Sequence, residues 1–246
     1  MFLKLKPLLY SLLFYAGLEI IVSQPRFVFI VFVFLLVASL YEGRKIGGRW
    51  IFSVLPVLFA VSSTGLLYLI ALTYEQQIFI FLAALMYYFS LFGAYRLGRY
   101  RQDQTARGMN MAAAAATIFF TYAGAYGFYL NFLVPLYYLM FAYLLVTLFV
   151  SYQYFIIIRP NDKKTVWLYC FLLALIMTEI VWTLNFWPFG YLTTGVIALI
   201  LYYVLWDLTQ GYFLNLLSKK RVIANMVFFS MMIILVLITA KWIPVI

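Results

Sequence analysis

Long apolar runs alternate with short polar segments along the entire chain. A helix needs about 20 apolar residues to cross a hydrocarbon core about 30 Å thick, and it satisfies its own backbone hydrogen bonds there. Nine runs approach this length, and they lack the alternation typical of barrel strands. The predicted transmembrane helices are residues 7–23, 27–41, 50–73, 78–95, 111–130, 132–158, 165–184, 189–217 and 222–243.

The basic residues of the connecting segments predict how these helices are oriented. Cytoplasmic loops carry an excess of Lys and Arg. When the loops are assigned alternately to two sides, only Arg26 and Lys241 fall opposite the other 15 of the 17 basic residues. We therefore expect a cytoplasmic N-terminus, an external C-terminus and a first run that is retained as a helix because no small-x-small cleavage pattern precedes Ser23.

The composition indicates a membrane protein, and the location of the basic residues explains the positive net charge. The 246 residues are 67% hydrophobic and 10% charged, whereas a soluble domain has roughly 25% charged residues. The formal charge of +10 lies in short loops, which disfavours a nucleic-acid partner. We expect one transmembrane helical domain over residues 1–246 without a soluble domain, with the loop at 96–107 contacting anionic lipid head groups at the cytoplasmic face.

The residue inventory excludes several chemistries. The chain has no histidine and a single cysteine, Cys170, so it has no Ser-His or Cys-His pair and no His-ligated metal. Enzymes that use paired intramembrane aspartates are disfavoured because Asp207 is the only such aspartate. No nucleotide-binding glycine loop is present. We predict no cofactor and no metal site, and an ion gradient or a partner protein is the expected energy source.

Three acidic residues are predicted within helices, where ionisable groups are costly and are functional candidates by default. Glu19 belongs to a stripe at four-residue spacing with Ser11, Tyr15 and Ser23, so this face is expected to point into the bundle. Glu179 has Thr178 and Thr183 beside it, and the turn at Asn185 follows. Asp207 lies toward the cytoplasmic end of its helix, on a face with Tyr203, Gly211 and Asn215.

Two of these acids share the outer half of the membrane with the two exceptional basic residues. A cluster of Glu19, Glu179, Arg26 and Lys241 would form a polar cavity in which a carboxylate carries protons or holds a cation. The alternative is structural: the acids pair with basic residues or tyrosines to hold helices together, while Arg26 and Lys241 extend to the interface.

A run of small and hydroxyl residues interrupts the third predicted helix. Ser62, Ser63, Thr64 and Gly65 would expose carbonyl groups to a substrate if the helix were discontinuous, as in some transporters. Alternatively, their hydroxyls bond back to the preceding turn and allow close packing. The helix face that carries Asp207 also has two interpretations. It lines a cytoplasmic vestibule, or Asp207 is an ordinary aspartate at the membrane interface.

These features favour a transporter-like or channel-like protein for a small solute or ion. The first alternative is a non-catalytic membrane subunit that docks a membrane protein partner or a second copy. The second is a membrane enzyme acting on a lipid-linked substrate, although no catalytic pair is evident and we lean against an enzyme. Chains with short loops and a high content of phenylalanine and tyrosine, like this one, look like bacterial inner-membrane proteins, so we expect that location.

Overall fold

The fold is all-helical in the part of the chain that the computed structural model describes, which is residues 2–100, 102–132 and 134–240, without the side chains of residues 2–4 and 221. Two short 3-10 helices, Pro25–Phe27 and Trp50–Ser53, precede the second and third α-helices. The α-helices are α1 (Phe2–Ser23), α2 (Val28–Gly47), α3 (Val54–Tyr68), α4 (Thr73–Arg99), α5 (Gln104–Phe132), α6 (Leu136–Ile158), α7 (Lys163–Leu184), α8 (Tyr191–Phe213) and α9 (Lys219–Thr239).

Within the described residues, nine helical segments are long and apolar enough to cross a bilayer. This confirms the predicted number of spans and the all-α class. The predicted boundaries were wrong at several helices: α2 continues to Gly47, where we expected its end at residue 41, and α3 ends at Tyr68 rather than at residue 73. The predicted end of the last span, residue 243, lies outside the described residues.

Local sequence signals explain where two of these helices stop and start. Gly48 has a left-handed φ of 74° and its N–H donates to the Arg44 carbonyl, which ends α2. Glycine adopts this conformation without the steric cost that a Cβ brings. Asp162 begins α7, because its carboxylate accepts a hydrogen bond from the Thr165 backbone N–H at 3.3 Å. Such caps satisfy backbone groups that have no partner within the helix.

The chain divides into two compact units, Met1–Phe120 (unit 1) and Thr121–Ile246 (unit 2). The boundary falls within α5, so unit 1 contains α1 to α4 and the first half of α5. Unit 2 contains the second half of α5 and α6 to α9. The expectation of one domain over the whole chain stays a prediction, and each unit is described separately.

Unit 1 is held together by small residues and by hydroxyl groups that bond between helices. The Ser11 hydroxyl donates to the Ala84 carbonyl at 2.7 Å, which joins α1 to α4. The Ser53 hydroxyl donates to the Leu40 carbonyl of α2 at 2.9 Å. Hydrogen bonds of this kind hold membrane helices together where lipid removes the hydrophobic driving force.

Unit 2 has an aromatic interior with buried hydroxyl pairs. The rings of Tyr122 and Tyr143 stack with centroids 3.9 Å apart, which packs α5 against α6. The Tyr143 hydroxyl donates to the Tyr122 carbonyl at 3.0 Å, and the Ser151 and Tyr202 hydroxyls lie 3.1 Å apart between α6 and α8. These polar atoms are therefore satisfied within the unit.

Candidate functional site

An acidic residue that the sequence patterns did not place in a membrane helix lies inside unit 1. Glu42 belongs to α2, five positions before the helix ends at Gly47, and it is only 3% exposed. The apolar pattern ends this span at residue 41 and so places Glu42 in a loop. Among the described acidic residues, Glu42 alone is buried. It is therefore the leading candidate for a functional carboxyl.

Glu42 is hydrogen-bonded to a tyrosine of a neighbouring helix. The Tyr87 hydroxyl of α4 donates to the Glu42 carboxylate at 3.1 Å. The same hydroxyl lies 2.9 Å from that of Ser39, one turn earlier on α2. Ser39, Glu42 and Tyr87, which we call the Glu42 cluster, thus bring four side-chain oxygen atoms from two helices to one buried place.

Aromatic packing fixes the ring that carries the Tyr87 hydroxyl. Phe14 of α1 stacks on Tyr87 with centroids 4.2 Å apart and planes 11° from parallel. Phe59 of α3 lies 6.1 Å from the same ring in a tilted arrangement. Both phenylalanines and Tyr87 are buried. The hydroxyl therefore has a defined position relative to Glu42 because three helices hold its ring.

Glycines allow the backbone around Glu42 to pack closely enough to bury it. A Cβ at Gly43 would lie 2.5 Å from the Ser53 Cα, and one at Gly98 would lie 2.6 Å from the Gly47 carbonyl oxygen. These distances are too short for any residue with a side chain. The end of α2 is consequently enclosed by Trp50–Ser53 and by α4.

The basic residues that follow Glu42 are exposed and bind elsewhere. The Arg44 guanidinium lies 4.0 Å from the centre of the Trp50 ring, and the Lys45 ammonium donates to the Tyr41 hydroxyl at 3.1 Å. Among the described residues Glu42 has no ion-pair partner. A carboxyl with hydroxyl neighbours and no fixed cation suits a proton or a hard cation, which prefers oxygen ligands.

Glu19 lies in unit 1, on α1. It is half-buried, and its carboxylate accepts a hydrogen bond from the Gln77 amide of α4 at 3.1 Å. The expectation that its stripe points into the bundle holds for Ser11, which is buried, and is wrong for Ser23, which is exposed. Arg26 is exposed in the 3-10 helix Pro25–Phe27.

Glu179 and Asn185 lie in unit 2, and Lys241 lies outside the described residues. The Glu179 side chain is exposed, and its carboxylate has no hydrogen-bond partner in the described part of the chain. The Thr183 hydroxyl instead donates to the Ile180 carbonyl at 2.7 Å. Asn185 follows α7 and lines a cavity of about 270 Å³ with Tyr126 and Trp187.

The hydroxyl run of α3 does not interrupt the helix. The Ser63 and Thr64 hydroxyls donate to the carbonyls of Phe59 and Ala60 at 2.7 and 2.8 Å, and the Ser62 hydroxyl donates to Phe59 at 3.1 Å. All three bonds go back to the preceding turn, as the packing interpretation expects. A ligand-binding role for Ser62, Ser63 and Thr64 stays a prediction without a free hydroxyl to carry it.

Asp207 joins α8 to α9 in unit 2. Its carboxylate accepts a hydrogen bond from the Asn225 amide, and the rings of Tyr203 and Phe229 meet one turn away at 5.2 Å. The neighbouring cavity measures about 10 Å³, which is about the minimum for one water molecule. This geometry gives Asp207 a structural partner, and a cytoplasmic vestibule stays a prediction.

A helical pattern that crosses the predicted boundary would have revealed Glu42. The buried positions of α2 are Leu35, Ser39, Glu42, Gly43 and Gly47, and their spacing of three and four residues continues one helix face. Hydropathy alone stops at Tyr41 because Glu42, Arg44 and Lys45 lower the average. The signal for the continued helix is therefore the helical spacing of small and polar residues, rather than apolar content.

The helices and the comparisons with known proteins define the class of the molecule. Nine apolar helices within the described residues make it a multi-pass membrane protein. Residues 41–239 match the model of a family of proteins of unknown function, DUF5656, and the chain belongs to that family. The matched segment includes Glu42 and Tyr87 and excludes Glu19 and Arg26. No curated protein and no solved structure matches the chain.

Proposed function

We propose that this protein moves protons or a small cation across the bilayer and that Glu42 binds the transported ion. The observation that carries the proposal is the buried Glu42 carboxyl with its Tyr87 and Ser39 hydroxyl neighbours and no ion-pair partner among the described residues. An ionisable residue kept inside a membrane protein is costly. A purely structural acid would keep a fixed basic or tyrosine partner, whereas an ion-binding acid exchanges its partner during transport. The flux of a Glu42→Gln variant separates these two roles, because only the ion-binding role requires the carboxylate for transport.

Further polar groups of unit 1 support a route toward the Glu42 cluster. Gln77, which bonds Glu19, precedes Tyr87 on α4 by ten residues, or about 15 Å of helix. The Ser11 hydroxyl bonds α4 between them, at Ala84. The Glu19 carboxyl lies at the Gln77 end of this segment of α4, and the Glu42 carboxyl lies at the Tyr87 end. In our proposal Glu19 accepts the ion first and Glu42 holds it within the unit.

Proton and cation flux into liposomes tests this proposal. Purified protein is reconstituted into liposomes that enclose a dye selective for protons, Na⁺ or K⁺, and the gradient of the same ion is imposed in each case. We expect flux above that of protein-free liposomes in at least one gradient, at least ten-fold lower flux for Glu42→Gln and unchanged flux for Glu75→Gln. Glu75 is an exposed acid of α4 bonded to Tyr74, so it is a matched control.

Two results would contradict the proposal. The first is flux equal to that of protein-free liposomes in every gradient. The second is flux that survives in Glu42→Gln but disappears in Glu179→Gln, which would move the site to unit 2. Folding of each variant is checked by size-exclusion chromatography, since a misfolded Glu42→Gln protein would lose flux for another reason.

We propose the orientation in which the N-terminus is cytoplasmic and the C-terminus is external, in a bacterial inner membrane. The division of basic residues supports it. Single cysteines at Gln24 and Gln102, introduced into a Cys170→Ala background, test it with a membrane-impermeant maleimide. We expect Gln24→Cys to react in intact cells and Gln102→Cys to react only after permeabilisation. The reverse pattern would contradict this orientation.

A second candidate function is that of a membrane subunit for a partner protein. Helix α9 packs mainly on α8 and exposes Met226, Val227, Met231 and Leu235. A partner helix would cover such a face. Affinity purification in a mild detergent tests this: a stoichiometric second protein supports a subunit role, and a homogeneous monomer contradicts it.

A further inference from the structure

A groove on the outside of unit 1 is a second place where a ligand fits, and it is independent of the Glu42 cluster. The groove lies between α1 and α4 and has a volume of about 410 Å³. Leu8 and Leu12 form one wall, and Phe81 and Leu85 form the other. All four are exposed at the unit surface, within segments that can cross the membrane. An acyl chain is the apolar molecule that reaches such a groove.

The walls of the groove leave no strong polar group for another kind of ligand. Ser11 lines the groove, but its hydroxyl already donates to the Ala84 carbonyl at 2.7 Å. The remaining polar atoms are the hydroxyls of Tyr15 and Tyr88. A polar solute would therefore lose its hydration without comparable replacement, which costs free energy. An alkyl chain has no such loss.

From Tyr88, which lines the groove, a series of aromatic rings extends along α4 toward the end of that helix. Tyr88 stacks on Phe92 with centroids 5.4 Å apart, and Phe92 stacks on Tyr95 at 6.1 Å. The Arg99 guanidinium then lies 4.0 Å from the centre of the Tyr95 ring. From Leu85 these residues follow one another at intervals of three or four, so they share one helix face.

Arg99 is the cation that this face offers to an anionic group. Its neighbour Arg96 forms an ion pair with Asp103 at 2.6 Å, so part of the charge of Arg96 is already neutralised. Arg99 is exposed and has no acidic partner among the described residues. The ring beneath it holds the guanidinium while leaving its N–H groups free to contact phosphate oxygens.

The dimensions match one lipid molecule in one leaflet. Leu85 and Arg99 are fourteen residues apart, or about 21 Å along the helix. Half of a hydrocarbon core is about 15 Å, and the head-group region adds about 5 to 7 Å. We propose that unit 1 binds one anionic phospholipid, with an acyl chain in the α1–α4 groove and its phosphate at Arg99.

Native mass spectrometry of the detergent-purified full chain tests this site. Phosphatidylglycerol and phosphatidylcholine with identical acyl chains are added at equal concentration, and the number of retained lipids is counted. We expect one phosphatidylglycerol to be retained in preference. Arg99→Gln should lower its retention about five-fold, since one interfacial basic residue contributes about 1 kcal/mol. Lys164→Gln, an exposed cation of α7 in unit 2, should leave retention unchanged.

A second pair of variants tests the groove separately from the arginine. Leu85→Trp and Leu12→Trp fill the groove from opposite walls, and both should lower retention of the two lipids. Both variants are used because a folding defect in one of them would also lower lipid retention, and the other then still tests the groove. Retention as high as that of the unmodified protein in both variants would overturn the groove assignment.

Three other results would overturn the proposal. Equal losses from Arg99→Gln and Lys164→Gln would indicate general attraction to basic residues. Displacement of the lipid by inorganic phosphate at the lipid's own concentration would indicate a simple anion site. Equal retention of phosphatidylglycerol and phosphatidylcholine by the unmodified protein would remove the role of Arg99.

Discussion

The Tyr87 hydroxyl donates to the Glu42 carboxylate at 3.1 Å and thereby joins α4 to α2 at a place that solvent does not reach. Each residue explains the position of the other. Tyr87 is held by its stacking on Phe14, and Glu42 is enclosed because Gly43 lets α2 approach Ser53. The packing of unit 1 consequently fixes the position of the buried carboxyl.

Tyr87→Phe should separate the hydrogen bonds of this cluster from its packing. The variant keeps the ring on Phe14 but removes the hydroxyl that contacts Glu42 and Ser39. We expect a loss of about 1 to 2 kcal/mol in the free energy of unfolding, measured by denaturation in mixed detergent micelles. Tyr100→Phe, at an exposed position, should change it by less than about 0.5 kcal/mol. Equal effects would contradict the cluster.

Gly98→Ala should disturb the contact between α4 and α2. Its Cβ would lie 2.6 Å from the Gly47 carbonyl oxygen, and backbone cannot move aside as a side chain does. We expect a loss of about 1 to 3 kcal/mol in the free energy of unfolding. Gly108→Ala in α5 is the matched control, because no atom lies within 4 Å of its Cβ position. It should stabilise the helix by about 0.5 to 1 kcal/mol, and a loss as large as that of Gly98→Ala would contradict this view.

Replacing the hydroxyls of α3 should have little effect. Ser62, Ser63 and Thr64 bond to carbonyls of their own helix, which keep their helical hydrogen bonds when the hydroxyls are removed. For Ser62→Ala, Ser63→Ala and Thr64→Val we expect unchanged flux and changes in unfolding free energy below about 1 kcal/mol. A variant that folds normally but loses flux would restore this segment as a binding site.

Asp207 and Asn225 should show energetic coupling between α8 and α9. Their side chains are hydrogen-bonded, so the loss from Asp207→Ala should be smaller when Asn225 is already alanine. A double-mutant cycle on unfolding in mixed micelles should give a coupling of about 1 kcal/mol. Additive effects of the two substitutions would indicate that the bond does not hold α9.

The sequence predicted the nine spans because apolar length is a strong signal in lipid, where each helix satisfies its own backbone. It did not predict the candidate site, for two physical reasons. Hydropathy places a helix end where charge begins, and this excluded Glu42 although α2 continues through it to Gly47. Hydropathy also contains no information on which helices adjoin, so the partner of Glu42 on α4 was not predictable.

Glu19 and Glu179 also show that the sequence does not give the neighbours of a helix. Both have the same position relative to the predicted outer surface, yet Glu19 bonds Gln77 whereas Glu179 is exposed on α7. Depth in the membrane is readable from the sequence. The direction in which a side chain points depends on the neighbours of its helix, which the sequence does not give.

Labelling of Glu42 with dicyclohexylcarbodiimide tests the central claim most directly. This apolar reagent modifies carboxyls within the membrane, and the modified residue is located by mass spectrometry of peptides. We predict that Glu42 is modified, that the transported cation protects it, and that modification abolishes flux in the same preparation. Modification of Glu19 or Glu179 with Glu42 untouched, or full flux through protein modified at Glu42, would contradict the account.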